Sequence, residues 1–146
     1  MPVAKAECGS AGDMAIVLFG HGARDPEWAG PMRRAREHVL AQAGRLRVEL
    51  AFLEFMTPTL DEVIAELAQA GMRTVTVVPM FLAQGGHVKK DLPMLIEQAR
   101  ARHPDCSIRL AAAVGEADAV LVAMAAYAIG CAQAGVDATV DSASVS

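Results

Sequence analysis

The 146-residue chain is long enough for one domain with its own hydrophobic core and short for two. With 53% hydrophobic and 21% charged residues it reads as a folded globular chain, not a disordered one. A formal net charge of −4 and an aromatic content of 4% argue against a nucleic-acid binder, which needs basic surface and stacking rings.

In chain order, the opening residues carry Lys5 without an apolar run behind it, so no signal peptide is expected. Met14–Gly20 is a continuous apolar run ending in glycine, the pattern of a strand buried on both faces. A helix is expected from Pro26 to Ala43, with Asp25 as N-cap, Pro26 at the first helical position and Gly44 as the stop. Arg47–Phe55 reads as a second strand. Thr57 and Pro58 then open a helix that runs to about Ala70 and closes at Gly71. Arg73–Met80 is rich in β-branched residues and reads as a third strand, with Pro79 near its end. A glycine-bearing loop, residues 83–87, leads to a helix over Val88–Arg102. Ser107–Val114 is a fourth strand. The apolar stretch Ala117–Ala134 is expected as a buried helix, since Asp118, Gly130 and Gln133 leave it short of a membrane span.

Strand and helix alternate four times. The fold class expected is therefore α/β: a single three-layer domain over residues 14–134 with a mainly parallel four-stranded sheet. Residues 1–13 and 136–146 are expected to be flexible termini. Cys8, Cys106 and Cys131 are odd in number and far apart, without metal-site or redox spacing. They read as two structural thiols plus one in a loose N-terminus, in a reducing, cytoplasmic compartment. Neither a membrane nor a nucleic-acid partner is expected.

Open α/β sheets bind ligands beyond the carboxyl ends of their strands. His21 follows the first strand, Glu54 ends the second, and His87 lies in the loop after the third. Parallel strands deliver all three to one sheet edge. Two imidazoles and a carboxylate suit a borderline divalent ion such as iron, cobalt, nickel or zinc. The same groups suit the insertion of a metal into a tetrapyrrole: imidazole can take a pyrrole proton, carboxylate can lower the ion's charge, and open coordination positions let the macrocycle displace the protein. A lone loop histidine is more commonly a surface residue; it is the set of three strand ends that carries weight. His38, within a helix, and His103, just after one, read as solvated.

Arg24, Arg33, Arg34, Lys89 and Lys90 stand near these loops. A charge run is usually a solvated helix face, but here some can meet substrate carboxylates, as can the positive helix ends. Arg24, Gln84, Gly85 and Lys89 are the candidate substrate contacts. Met56, Met80, Phe81 and Leu82 can wall a flat apolar cleft or simply pack. A weak internal echo joins Gly20–Pro26 and Gly86–Pro93, each Gly-His, then Asp, then Pro. A phosphate-binding α/β module is disfavoured, because no P-loop and no Gly-x-Gly-x-x-Gly follows a strand.

Three segments together closely resemble the short sirohydrochlorin chelatases of the CbiX/SirB group, within the class II chelatases. They are residues 19–26 (Phe-Gly-His-Gly-Ala-Arg-Asp-Pro), residues 51–54 with Pro58, and residues 78–88 with Asp91 and Pro93. The resemblance extends from about Ile16 to Leu121. It implies a flavodoxin-like half of a class II chelatase that pairs with a second copy as a homodimer. It implies sirohydrochlorin as the macrocycle, in cobalamin or sirohaem biosynthesis. It further implies a divalent metal (Co2+, Fe2+ or Ni2+) as substrate, no organic cofactor, and His21, Glu54 and His87 as the metal-handling residues. Two alternatives stand beside cobalt or iron insertion: nickel insertion into the same macrocycle, and a carrier that binds metal or tetrapyrrole without turnover. The chain departs from the family pattern at Ala23, where serine is frequent, and in its alanine-rich last helix.

Overall fold

Runs of β-branched and aliphatic residues form the four strands seen in the computed structural model, which describes residues 11–134. They are β1 (Met14–Gly20), β2 (Arg47–Phe52), β3 (Thr74–Pro79) and β4 (Ser107–Leu110). All pair in parallel, in the order β2-β1-β3-β4. The chain is thus α/β with a four-stranded, wholly parallel sheet, and β1 and β3 are its central strands. The expected flexible termini fall largely outside the described residues, and a short 3-10 turn, Ala11–Asp13, leads into β1.

Four helices accompany the sheet: α1 (Gly30–Gln42), α2 (Leu60–Gln69), α3 (Gly86–Arg102) and α4 (Asp118–Ala134). On one sheet face Val17, Phe19, Val75 and Val77 are fully buried and pack with Ile64 and Leu67 of α2 and Ile96 of α3. Each such side chain contributes about 1.5–3 kcal/mol by leaving water. On the other face Leu18, Val48 and Phe52 pack with Met32 of α1. Arginines seal the two sheet edges: Arg36 donates from Nε to the Val48 carbonyl and Arg100 to the Ile108 carbonyl, each at 2.9 Å. These bonds engage carbonyls on the two edge strands, which among the described residues no further strand covers.

Several boundaries differ from the sequence expectation. The first helix is split into a 3-10 turn, Pro26–Ala29, and α1. Asp25 caps the turn as expected, its carboxylate accepting from the Glu27 amide at 2.9 Å. The second strand ends at Phe52 and not Phe55, because the chain turns where Phe55 adopts φ 66. The second helix starts at Leu60, capped by Thr59 and not Thr57. Thr59 Oγ1 accepts from the Glu62 amide at 3.3 Å and donates to the Glu62 carboxylate at 3.2 Å, a side-chain cap that a Thr-Pro pair upstream obscured. The Thr57–Pro58 peptide is cis. The third helix begins at Gly86, two residues early, because Gly85 serves as its N-cap. The fourth strand stops at Leu110 and not Val114; neighbouring Pro79 has no N–H with which to extend the ladder.

The largest correction concerns α4. Its apolar composition predicts burial, yet it has no buried residue, and every position from Leu121 to Gly130 is exposed. Composition reports that a helix seeks cover; it does not say which surface supplies it. His103 also differs from expectation: it is the half-buried C-cap of α3.

Candidate metal-handling site

The site is assembled by three crossover loops at the carboxyl edge of the sheet. Gly20 ends central strand β1, and His21 is the next residue. Beyond β2 the backbone keeps pairing with that turn: the Leu53 amide donates to the Gly20 carbonyl at 2.9 Å and the Glu54 amide to the His21 carbonyl at 3.1 Å. This continuation sets His21 beside Glu54, with Nε2 3.2 Å from Oε1. Both side chains are about half exposed, 49% each, so the pair is reachable from solvent.

Gly22 makes the approach possible. Its φ is +94°, in the left-handed region, and a Cβ there would lie 1.9 Å from the Glu54 carbonyl oxygen. Only glycine fits both constraints. The imidazole of His21 also stands edge-on to Phe81, centroids 6.3 Å apart, and Phe81 in turn packs edge-on against Phe19 at 5.9 Å. The core thereby braces one side of the imidazole.

His87 enters from the third loop. It is the second residue of α3 rather than a loop residue, and its side chain is 94% exposed. Its Nε2 lies 3.6 Å from the Asp91 carboxylate one helical turn on. His21 and His87 line one cavity of about 540 Å³ with Phe81, Leu82, Gln84 and Gly85. Among the described residues no group of three or more His, Cys, Asp or Glu side chains is close enough to hold a metal ion. His21 and Glu54 are therefore joined directly, while His87 faces the same cavity without closing a cage.

Of the candidate substrate contacts, Gln84 and Gly85 lie on the cavity wall. Lys89 and Gln84 line an adjoining cavity of about 230 Å³. Arg24 lies over the exposed Phe55 ring, guanidinium carbon 5.1 Å from the centroid. Phe55 was not singled out by sequence, nor was the pairing of Asp91 with His87; a Phe within an apolar run carries no signal for an outward, left-handed turn. His38 is exposed on α1. His103 lines a larger cavity, about 720 Å³, with Arg73, Arg102 and Cys106. That cavity lies at the amino edge of β3 and β4, away from the loops on which ligands of such sheets bind.

The family model for CbiX matches residues 15–128. The chain belongs to the CbiX family. Among curated relatives, the sirohydrochlorin cobaltochelatase of Methanopyrus kandleri is 36% identical over 83 residues, 57% of this chain and 58% of that protein. The sirohydrochlorin cobaltochelatase of Saccharolobus islandicus strain L.S.2.15 is 37% identical over 83 residues, covering 57% of this chain and 63% of its own. This CbiX-family chain thus spans about three fifths of the curated relatives that it matches.

Among solved structures, a CbiX protein of cobalamin biosynthesis from Marinobacter aquaeolei superposes with a TM-score of 0.73 at 29% identity, covering 84% of this chain and 99% of that one. The sirohydrochlorin chelatase SirB from Bacillus subtilis subspecies spizizenii, solved with cobalt, gives a TM-score of 0.63 at 27% identity, over 73% of this chain but 45% of SirB. In these two solved structures, then, one such unit accounts for nearly a whole chain or for about half of one.

Proposed function

We propose that this protein inserts a divalent metal, Co2+ or Fe2+, into sirohydrochlorin. The observation that carries the reading is the His21–Glu54 pair, 3.2 Å apart and sharing an edge of the sheet with the cavity between His21 and His87, within a chain of the CbiX family. The ion enters as substrate. Its transfer needs donors that can be displaced one at a time, and an open arrangement of two imidazoles and a carboxylate suits hand-over better than a closed four-ligand site.

His21 is the base in this reading. Its imidazole is braced by Phe81 and reaches the cavity, so a neutral ring can accept a proton from a pyrrole N–H as the metal enters. Glu54 stabilises the imidazolium that results and lowers the charge of the arriving ion. His87, exposed and backed by Asp91, receives the metal first. The amino end of α3, with Gly85 at its cap, offers a positive dipole to substrate carboxylates, and Lys89 and Arg24 add charge nearby. Phe81 and Leu82 provide an apolar wall for the macrocycle.

A single sheet edge gives this cleft one wall. A second copy supplies the other in the proposed homodimer, a reading supported by SirB, whose chain is matched over only 45% of its length by this unit. The working compartment is taken as the cytoplasm; among the described residues no helix is long and apolar enough to cross a membrane. The test is an anaerobic absorbance assay of sirohydrochlorin with cobalt, ferrous iron or nickel. The expected result is insertion faster than without protein, over many turnovers, and lost in His21→Ala. Tight macrocycle binding without turnover would instead make the protein a carrier.

A further inference from the structure

The two loops that bring His21 to Glu54 meet again one step further out. Arg24 stands three residues beyond His21, and Phe55 is the residue after Glu54. The Arg24 guanidinium carbon lies 5.1 Å from the centroid of the Phe55 ring. This second pair does not line the His21 cavity; it stands beyond it on the same loops. Folding alone does not call for what is found there.

Among the described residues Phe55 is the only one other than glycine with a positive φ, at 66°. A bulky side chain is a rare occupant of that region, and glycine would make the same turn without strain. The ring adds little to the core, because it is 59% exposed. Residues held in such strained positions cluster where ligands are clamped. Arg24 is also exposed, and among the described residues its side chain has no hydrogen bond or ion pair. Its neighbour Asp25 is engaged elsewhere, accepting from the Glu27 amide at 2.9 Å. A guanidinium held by an aromatic face keeps its N–H donors for another acceptor. Those donors fit a carboxylate in bidentate fashion.

We propose that Phe55 is a positioning residue, whose ring holds the Arg24 guanidinium ready for a carboxylate arm on the rim of the macrocycle. The proposal rests on the chelatase reading above and names a specificity element of that site. A tetrapyrrole is far wider than the metal at its centre. A macrocycle whose N–H groups face His21 must therefore extend its arms beyond the cavity. The order along the two loops matches this need, with the reacting pair first and the charged and aromatic pair next. The Glu54 amide, bonded to the His21 carbonyl at 3.1 Å, fixes the spacing between them. A macrocycle without ionised arms offers Arg24 no partner and is selected against.

Binding of metal-free sirohydrochlorin to the intact protein, followed by the fluorescence of the macrocycle, tests this apart from insertion. Phe55→Gly suits the backbone at this turn, so the melting temperature is expected to stay at the wild-type value. Binding is expected to weaken about tenfold, the scale of one lost hydrogen bond to a charged group. In the insertion assay KM for the macrocycle is expected to rise more than kcat falls. Phe55→Tyr keeps the ring and is expected to restore wild-type binding. Arg24→Gln is expected to weaken binding as much as Phe55→Gly, and the two together no further, since the ring acts through the guanidinium. Phe55→Gly that binds like the wild type overturns the proposal, as does Phe55→Tyr as weak as Phe55→Gly. A double variant with the two losses fully added shows that the ring does not act through Arg24, and overturns it too. A wild type that fails to bind sirohydrochlorin overturns the chelatase reading and this one with it. A wild type that binds and inserts, with every Phe55 variant its equal, overturns the role of Phe55 alone.

Discussion

His21 and Glu54 are tied twice, once by side chains at 3.2 Å and once by the Glu54 amide donating to the His21 carbonyl at 3.1 Å. The second tie uses only backbone, so removing either side chain leaves the loops in place. His21→Ala is expected to lower kcat/KM for insertion by about 10²–10⁴, the usual range for a lost general base, with an unchanged melting temperature. Groups that act as a unit are not additive, so adding Glu54→Ala to His21→Ala is expected to cost little more. A double variant far slower than His21→Ala alone would show that the two work separately.

Gly22 is where the fold and the site meet. Gly22→Ala places a methyl group 1.9 Å from the Glu54 carbonyl oxygen at φ +94°, so the two loops must part. The expected cost is roughly 1–3 kcal/mol of stability, together with loss of insertion. Urea unfolding measures the first and the absorbance assay the second. A variant of full stability and activity would mean that the loops have slack to give.

The His87–Asp91 contact lies on a solvent-exposed helix turn. Pairs of this kind stabilise a protein little, so Asp91→Asn is expected to leave the melting temperature alone. Its effect is expected on metal use: KM for the metal rises several-fold while kcat stays near the wild-type value. A fall in kcat with KM unchanged would assign Asp91 to the chemical step.

Burial pushes the Cys106 thiol up from its ordinary range. The folded state then holds its proton more tightly than the unfolded state. The sign follows: this contribution is complete below the ordinary thiol range and is lost as pH rises through the raised folded value. Cys106→Ala is expected to flatten the alkaline fall in urea midpoint. In the native protein Cys106 is expected to resist alkylation near neutral pH, as read by intact mass before and after denaturation. An equal alkaline slope in both proteins would remove Cys106 as its source.

Much of this was legible in the sequence, for identifiable reasons. Unbroken apolar runs such as Met14–Gly20 announce strands covered on both sides, and Asp25-Pro26 announces a cap, because both depend on neighbours along the chain. The strand-end positions of His21 and Glu54 followed from parallel topology alone. What escaped depends on partners distant in sequence or on a single dihedral. Phe55 looks like one more strand residue until its φ of 66 is known, and the cap of the next helix shifted with it from Thr57 to Thr59. Gly85 and Gly86 looked like loop because glycine disfavours helix interiors, although it is acceptable as an N-cap. α4 misled most, since hydropathy states a need for cover without naming its source.

The strand order places His21 and Glu54 on unequal foundations. His21 hangs from β1, held by neighbours on both sides, whereas Glu54 hangs from β2, an edge strand with one neighbour. Edge elements open locally before a sheet comes apart. On warming, Glu54 is thus set to drift from His21 while most of the molecule is still intact. Heat inactivation would then run ahead of melting, and grafting a tighter grip on β2 would raise the working temperature of the site without touching His21 or Glu54.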